Sequence, residues 1–335
     1  MAKPQTVRLS PAPVVAACAN LGGKHESRGP LHAFFDRLEP DAYFGKKTYE
    51  QAEAAMQAAV LAAALEKAAL GPEDLDCVFG GDLLNQCIGT TFALRNVPVP
   101  LYGLYSACAT MGEALSLAAL MISAGFLDRA AALTSSHFCC AERQYRMPLP
   151  YGSQRHPTAQ WTATAAGCAL LAREGTGPRI THVTRGRVVD KGVADPNNMG
   201  AAMAPAALDT LRAFFRDTAY TPADFDRIIT GDLGKLGSRI LLELAGREGL
   251  DFAGRHSDCG LLLYDLERQD MHCGGSGAGC SAAVFCGYIV SMLQKRRWNR
   301  VLFAPTGALL SPTSTLQKES IPGICHVLCI SNERE

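Results

Sequence analysis

An α/β fold in which one strand–helix unit occurs twice is the fold class this sequence predicts, and three observations lead to it. Short apolar runs of strand length alternate with longer helical patterns, which places strands in a sheet covered by helices. The decapeptide DLDCVFGGDL at 74–83 lies without a gap over DFDRIITGDL at 224–233, 150 positions later. RAAALTSSH at 129–137 lies over RVLFAPTGA at 300–308, and a long small-residue helix precedes each. The period is far too long for a solenoid, so the reading is two packed halves, residues 1–175 and 176–335, each a βαβαβ unit on a mostly parallel sheet.

In the first half, residues 1–13 carry three prolines and read as a loose arm before the buried strand Val14 to Ala19. Lys24 to Tyr49 has no clear period and reads as a covering loop. Thr48 and Gln51 have capping-box spacing and open an alanine-rich helix that Gly71-Pro72 ends. A strand over 74–81, a helical segment near Thr90–Leu94 and the extended Val97–Leu101 lead to the stretch LYSACATMGEALSLAALMISAG at 104–125. There Thr110 and Glu113 predict a second capping box, and Gly125 a stop. Arg129 to Ser135 is the next strand. The second half repeats the order: a strand at 180–185, a helix over Ala206–Arg216, a strand within 224–233, a glycine-led helix over Gly277–Lys295 and a strand at 300–308.

Composition excludes several classes of function. The 335 residues contain 32 basic and 32 acidic side chains, so no nucleic-acid surface is indicated. Thirteen cysteines lie largely inside apolar runs without a secretory signal, which points to reduced core thiols in a cytosolic protein rather than a disulfide framework. No CxxC pair occurs and His272-Cys273 lacks partners at ligand spacing, so no metal site is expected. No apolar run reaches the ~20 residues that cross a bilayer. CGGSGAGC at 273–280 lacks the Walker ending and reads as close helix–helix packing at the pseudo-twofold axis between the halves.

Cys108 falls within a turn of a helix start, where amide N–H groups and the helix dipole favour a thiolate or a bound carboxylate. A duplicated α/β half with such a cysteine resembles the thiolase-like superfamily, whose fold is a five-layered α/β/α/β/α stack. Within it, GLYSACATMGEALSLAA, TSSHFCCAERQYRMPLPYG followed by TAQWTATAAG, GDLGKLG and CGGSGAGCSA resemble the stage V sporulation protein AD family of spore-forming Firmicutes. The resemblance implies a protein that binds dipicolinic acid (pyridine-2,6-dicarboxylate), with or without calcium, and needs no other cofactor. It also implies work with membrane channel proteins of the same sporulation system, peripherally at the spore inner membrane, during sporulation and germination. A homodimer paired through a strand of the first half is a further implication.

Condensing enzymes of that superfamily need His or Asn in two turns of the second half. The corresponding turns here, 229–234 and 273–277, contain neither, and Asp232 stands where an imidazole is expected. Acyl transfer by a Cys108 nucleophile is therefore the second reading, and a degenerate, non-catalytic binding protein the first. A flat dianion calls for cationic forks, donors and a stacking face. The segment 135–160 supplies these, Arg155 and Tyr145 among them. The residues expected to hold the ligand are Cys108, His137, Arg143, Arg146, Tyr151, Gln160 and Asp232.

Overall fold

The computed structural model describes residues 3–145 and 155–333, with the side chains of 143–145 outside the description. In the first half five strands follow in chain order: Val14–Gly22, Cys77–Gly81, Leu101–Gly103, Arg129–Ser136 and Ala165–Ala172. Across the sheet they lie third, second, fourth, fifth, first. The five strands Arg179–Thr184, Arg227–Thr230, His256–Asp258, Arg300–Ala304 and Val327–Ser331 of the second half take the same order. The two sets touch through their first strands, at the single pair Val14 and Arg179.

The sheet is mixed rather than mostly parallel. In each half the second strand runs parallel to the third and fourth, while the fifth is antiparallel to both of its neighbours. The connection from fourth to fifth strand is an excursion that returns to the edge it left, so the chain comes back reversed; only the earlier connections are true crossovers.

Alternation along the strands produces the layers. Ala130 and Ala132 enter a central core while Ala131 and Leu133 pack outward with Met56, Val60 and Leu61 of the helix Tyr49–Ala68. In the second half Val301 and Phe303 point to the central core, and Leu302 and Ala304 to an outer one shared with the helices Met199–Asp217 and Gly234–Arg247. The central core is filled by the helix Thr110–Ser123, here called the cysteine helix, and by the glycine-led helix that begins at Ala278. Helix, sheet, helix pair, sheet and helices thus make five layers.

Local signals place most element ends. Thr48 caps its helix by accepting the Gln51 N–H. That helix stops at Ala68, with Ala69 in the left-handed region, before Gly71-Pro72 is reached. Gly125, at φ +84°, follows the end of the cysteine helix at Ser123. The capping box expected there is absent: Thr110 Oγ1 accepts the Ser106 N–H and donates to the Ala107 carbonyl. Burial holds the Glu113 carboxyl above the usual carboxylate range. The helix expected from Ala206 begins at Met199, capped by Asn198, and carries Pro205 inside it. A proline so placed reads as a helix boundary in sequence, and packing against the sheet overrides that signal. The glycine-led helix contains a π-turn over Phe285–Ile289.

Candidate functional site

Cys108 sits in a tight turn just before the cysteine helix, with Ala107 at φ +49°. Ser106 O accepts the Ala109 N–H at 3.0 Å, which closes the turn. Gly307 lies directly against it: a Cβ there would fall 3.1 Å from Ala109 N and closer still to the Ser106 carbonyl. Only a residue without a side chain lets the second half approach the cysteine turn this closely.

A cleft opens beside Cys108, lined by Leu83, Tyr105, Ala107, Ala141 and Glu142 from the first half together with Thr162, and by Met199, Ser276, Ala308 and Leu310 from the second. Its free volume is about 40 Å³, room for a few water molecules. Thr162 and Ser276 are neighbours because Trp161–Thr162 pairs in parallel with Gly275–Ser276. Thr162 Oγ1 donates to Glu142 Oε1 at 3.2 Å and fixes that buried carboxyl in the cleft wall. Trp161 is not among the lining residues; it stacks on Phe138 at 3.9 Å with the Arg155 guanidinium 5.0 Å from its ring.

The thiol of Cys108 is hydrogen-bonded to the carboxylate of Asp232. Asp232 is fully buried; Thr306 Oγ1 donates to its Oδ1 at 2.8 Å and Gly277 N to its Oδ2 at 3.1 Å. Burial, then the nearby Asp258 charge, push its carboxyl up to about 7 against the pull of these hydrogen bonds. Gln160 braces the site from behind, donating from Nε2 to Asp232 O at 2.6 Å and to Gly275 O at 3.0 Å.

The other expected ligand residues are placed differently. His137 is buried with Nε2 donating to Ala42 O at 2.8 Å and Nδ1 accepting the Cys139 N–H at 3.2 Å, outside the cleft lining, and burial pulls it below the usual histidine range. Ala42 belongs to the loop expected to cover something, and His137 is what it covers. Arg155 pairs with Asp270 at 3.0 Å. Arg146 and Tyr151 lie outside the described residues, as do the side chains of Arg143 and Tyr145. Among the predicted set, then, the structure brings Cys108 and Asp232 together, with Gln160 one step behind.

Tyr105, Thr162 and Ser276 lie inside the motifs LYSACAT, TAQWTATAAG and CGGSG, yet sequence alone did not single them out. Their neighbours carried the more conspicuous chemistry. Met199 and Leu310 gave no signal, being ordinary apolar residues brought in from distant elements. None of the eight histidines lines the cleft: His256 bonds Thr230 Oγ1 at 3.0 Å, His272 the His156 carbonyl at 2.8 Å, and the rest have partners elsewhere.

Comparison with known proteins gives two kinds of match. The family model for Stage V sporulation protein AD (SpoVAD) matches residues 3–331. A curated relative, Stage V sporulation protein AD of Bacillus subtilis (strain 168), is 39% identical over 312 residues, 93% of this chain and 92% of the relative. Among solved structures, a variant of Xanthomonas campestris OleA superposes with a TM-score of 0.62 at 13% identity, covering 97% of this chain and 100% of that one. The 3-oxoacyl-[acyl-carrier-protein] synthase III of Aquifex aeolicus gives 0.57 at 11% identity, covering 96% and 100%. At such identities the structural matches establish the thiolase-like fold and nothing about chemistry.

Proposed function

The chain belongs to the stage V sporulation protein AD family, and from that premise we propose that it is a non-catalytic binding protein for dipicolinate in the cleft beside Cys108. The observation that carries this reading is the pairing of Cys108 with Asp232. A nucleophilic cysteine needs a base that takes its proton and leaves positive charge beside the thiolate. Asp232 is an acceptor in a dry environment, and when ionised it opposes a second negative charge next to it. The site keeps a thiol, three hydroxyls and an acid around a hollow, which is equipment for holding a small polar molecule rather than for acyl transfer.

The described lining contains no cationic side chain. The reading therefore assigns neutralisation of the ligand to Arg143 and Arg146, or to calcium arriving with it. Calorimetry with dipicolinate, with the monoacid picolinate and with each in the presence of calcium tests this. Selective binding of the diacid supports it; no binding, or equal binding of both acids, sinks it. The acyltransferase reading predicts that a thioester leaves a mass adduct on Cys108 that Cys108→Ala abolishes, and an unlabelled wild-type protein disposes of it.

Action at the spore inner membrane with channel components belongs to the same proposal. Among the described residues no helix is long and apolar enough to cross a membrane; the proposal assigns contact with a bilayer to the channel partners. Pairing of two copies along the edge strand Leu101–Gly103 is proposed as well. Tyr102 on that strand is 56% exposed and Phe92 on the nearby helix Ile88–Leu94 is 52% exposed, apolar surface that a second copy would cover.

A further inference from the structure

We propose that ligand binding in the Cys108 cleft is proton-linked through Asp232, a positioning residue that decides whether the Cys108 thiol donates backward into the protein or forward into the cleft. The inference rests on the binding function proposed above and adds its regulation.

Asp232 is not a lining residue; it lies behind Cys108, sealed from solvent. A thiol has one proton to donate. While the Cys108 proton is held by the Asp232 carboxylate, the cleft sees only sulfur lone pairs with a negative charge behind them. Cys108 of the cysteine turn, Thr306 of the hairpin Thr306–Ala308 and Gly323–Cys325, and the Gly277 N–H at the glycine-led helix bond Asp232 directly, and Asp258, Cys259, Cys280 and Cys325 are the other titratable groups close enough to feel its charge. All are neutral or acidic, none of these described neighbours is a cation, and the cleft beside Cys108 adds the Glu142 carboxyl, whose contribution the Asp232→Asn profile separates from that of Asp232.

Protonation of Asp232 changes two things at the cleft. The charge behind Cys108 disappears, and the thiol is released to rotate forward and donate to a ligand carboxylate. An anionic ligand therefore binds the protonated form more tightly, and by reciprocity its binding draws a proton into the protein. Because burial brings the Asp232 carboxyl up to about 7, the exchange falls near neutral pH. Below that region Asp232 already carries its proton and affinity is flat. Above it the proton must be taken up with the ligand, and affinity falls by up to about tenfold per pH unit, the limit for one linked proton.

The test is calorimetry of the full chain with dipicolinate between pH 6 and pH 8.5, repeated in two buffers of different ionisation enthalpy so that proton uptake is read directly. The expected result is net uptake approaching one proton at the alkaline end, and a pH profile that Asp232→Asn flattens. Cys108→Ala, which removes the relay and keeps Asp232, is expected to weaken binding at pH 6 far more than at pH 8.5. Dipicolinate binding with no proton uptake, or with an equal loss at both pH values in Cys108→Ala, overturns the linkage and leaves the binding function standing. Absence of dipicolinate binding at every pH overturns both. Should Asp232→Asn fail to fold, the wild-type buffer pair and Cys108→Ala still decide the question.

Discussion

His137 satisfies two backbone groups at once, the Ala42 carbonyl and the Cys139 N–H, from a position packed 5.2 Å from the Tyr49 ring. His137→Phe keeps the ring and strands both partners in a buried place. It is expected to lower stability by about 1–3 kcal/mol in urea unfolding while leaving dipicolinate affinity within a factor of about three. A second consequence at this scale concerns pH. Burial lifts Asp232 to about 7 and, with the Asp82 charge adding to it, Glu53 to about 8. In the folded chain both acids keep protons that the unfolded chain releases near pH 4. For these two acids the native state binds more protons across roughly pH 4 to 8, so their contribution to stability falls as pH rises through that window, while the buried histidines His256 and His326, held near 4, contribute with the opposite sign below about pH 6.5. The difference in unfolding free energy between wild type and Glu53→Gln is expected to shift against the wild type by an amount on the order of 2–4 kcal/mol between pH 5 and pH 8; a difference that does not change with pH contradicts the assignment. Cys108 and Asp232 were legible in the sequence because the motif around each is short and chemically loud. His137 was not, because a histidine at the end of a strand looks the same whether it meets a ligand or a carbonyl, and only the path of the loop at residue 42 distinguishes the two.

At the level of elements, the glycine-led helix is seated against the sheet by missing side chains. A Cβ at Gly279 would meet Ser136 N at 2.7 Å and press still closer on the Ala165 carbonyl, and one at Gly277 would fall 2.6 Å from Ser136 Oγ. These neighbours are sheet backbone and a buried hydroxyl with little room to yield. Gly279→Ala is thus expected to cost about 3 kcal/mol or more, or to prevent folding, as thermal unfolding followed by circular dichroism will show. The glycine spacing in CGGSGAGC reads as close packing of helix on helix; in the structure it brings the helix onto the strands Arg129–Ser136 and Ala165–Ala172 instead. The cap of the cysteine helix was misread from an equally good pattern: Thr110 and Glu113 have the right spacing, but Thr110 turns its hydroxyl back to close the turn around Cys108. Local spacing specifies which bonds are available, and the turn that the second half presses upon selects among them. The antiparallel fifth strands were hidden for a related reason, since apolar composition reports that a strand is buried but not which way it runs.

For the whole molecule, the repeated strand order makes the halves alike, yet the central core draws on both: Ala130, Met111 and Leu115 from one, Phe285, Val301 and Ile330 from the other. Neither half closes its inner face alone. Residues 1–175 and 176–335, expressed separately, are expected to lack cooperative unfolding, whereas the intact chain should melt in a single transition; two resolved calorimetric peaks would count against a shared core. The proposed pairing through Leu101–Gly103 belongs to this scale too. Light scattering at micromolar concentration is expected to give twice the chain mass, and Tyr102→Glu to return it to the monomer value.

The narrowness of the Cys108 cleft has a consequence in time. A free volume of some 40 Å³ is too small for a pyridine ring with two carboxylates, so the proposed binding requires the cleft to widen, with Leu310 among the lining side chains that would have to yield. In stopped-flow mixing the observed rate is expected to climb with dipicolinate concentration and then reach a plateau set by that opening, and variants that shorten Leu310 are expected to raise the plateau.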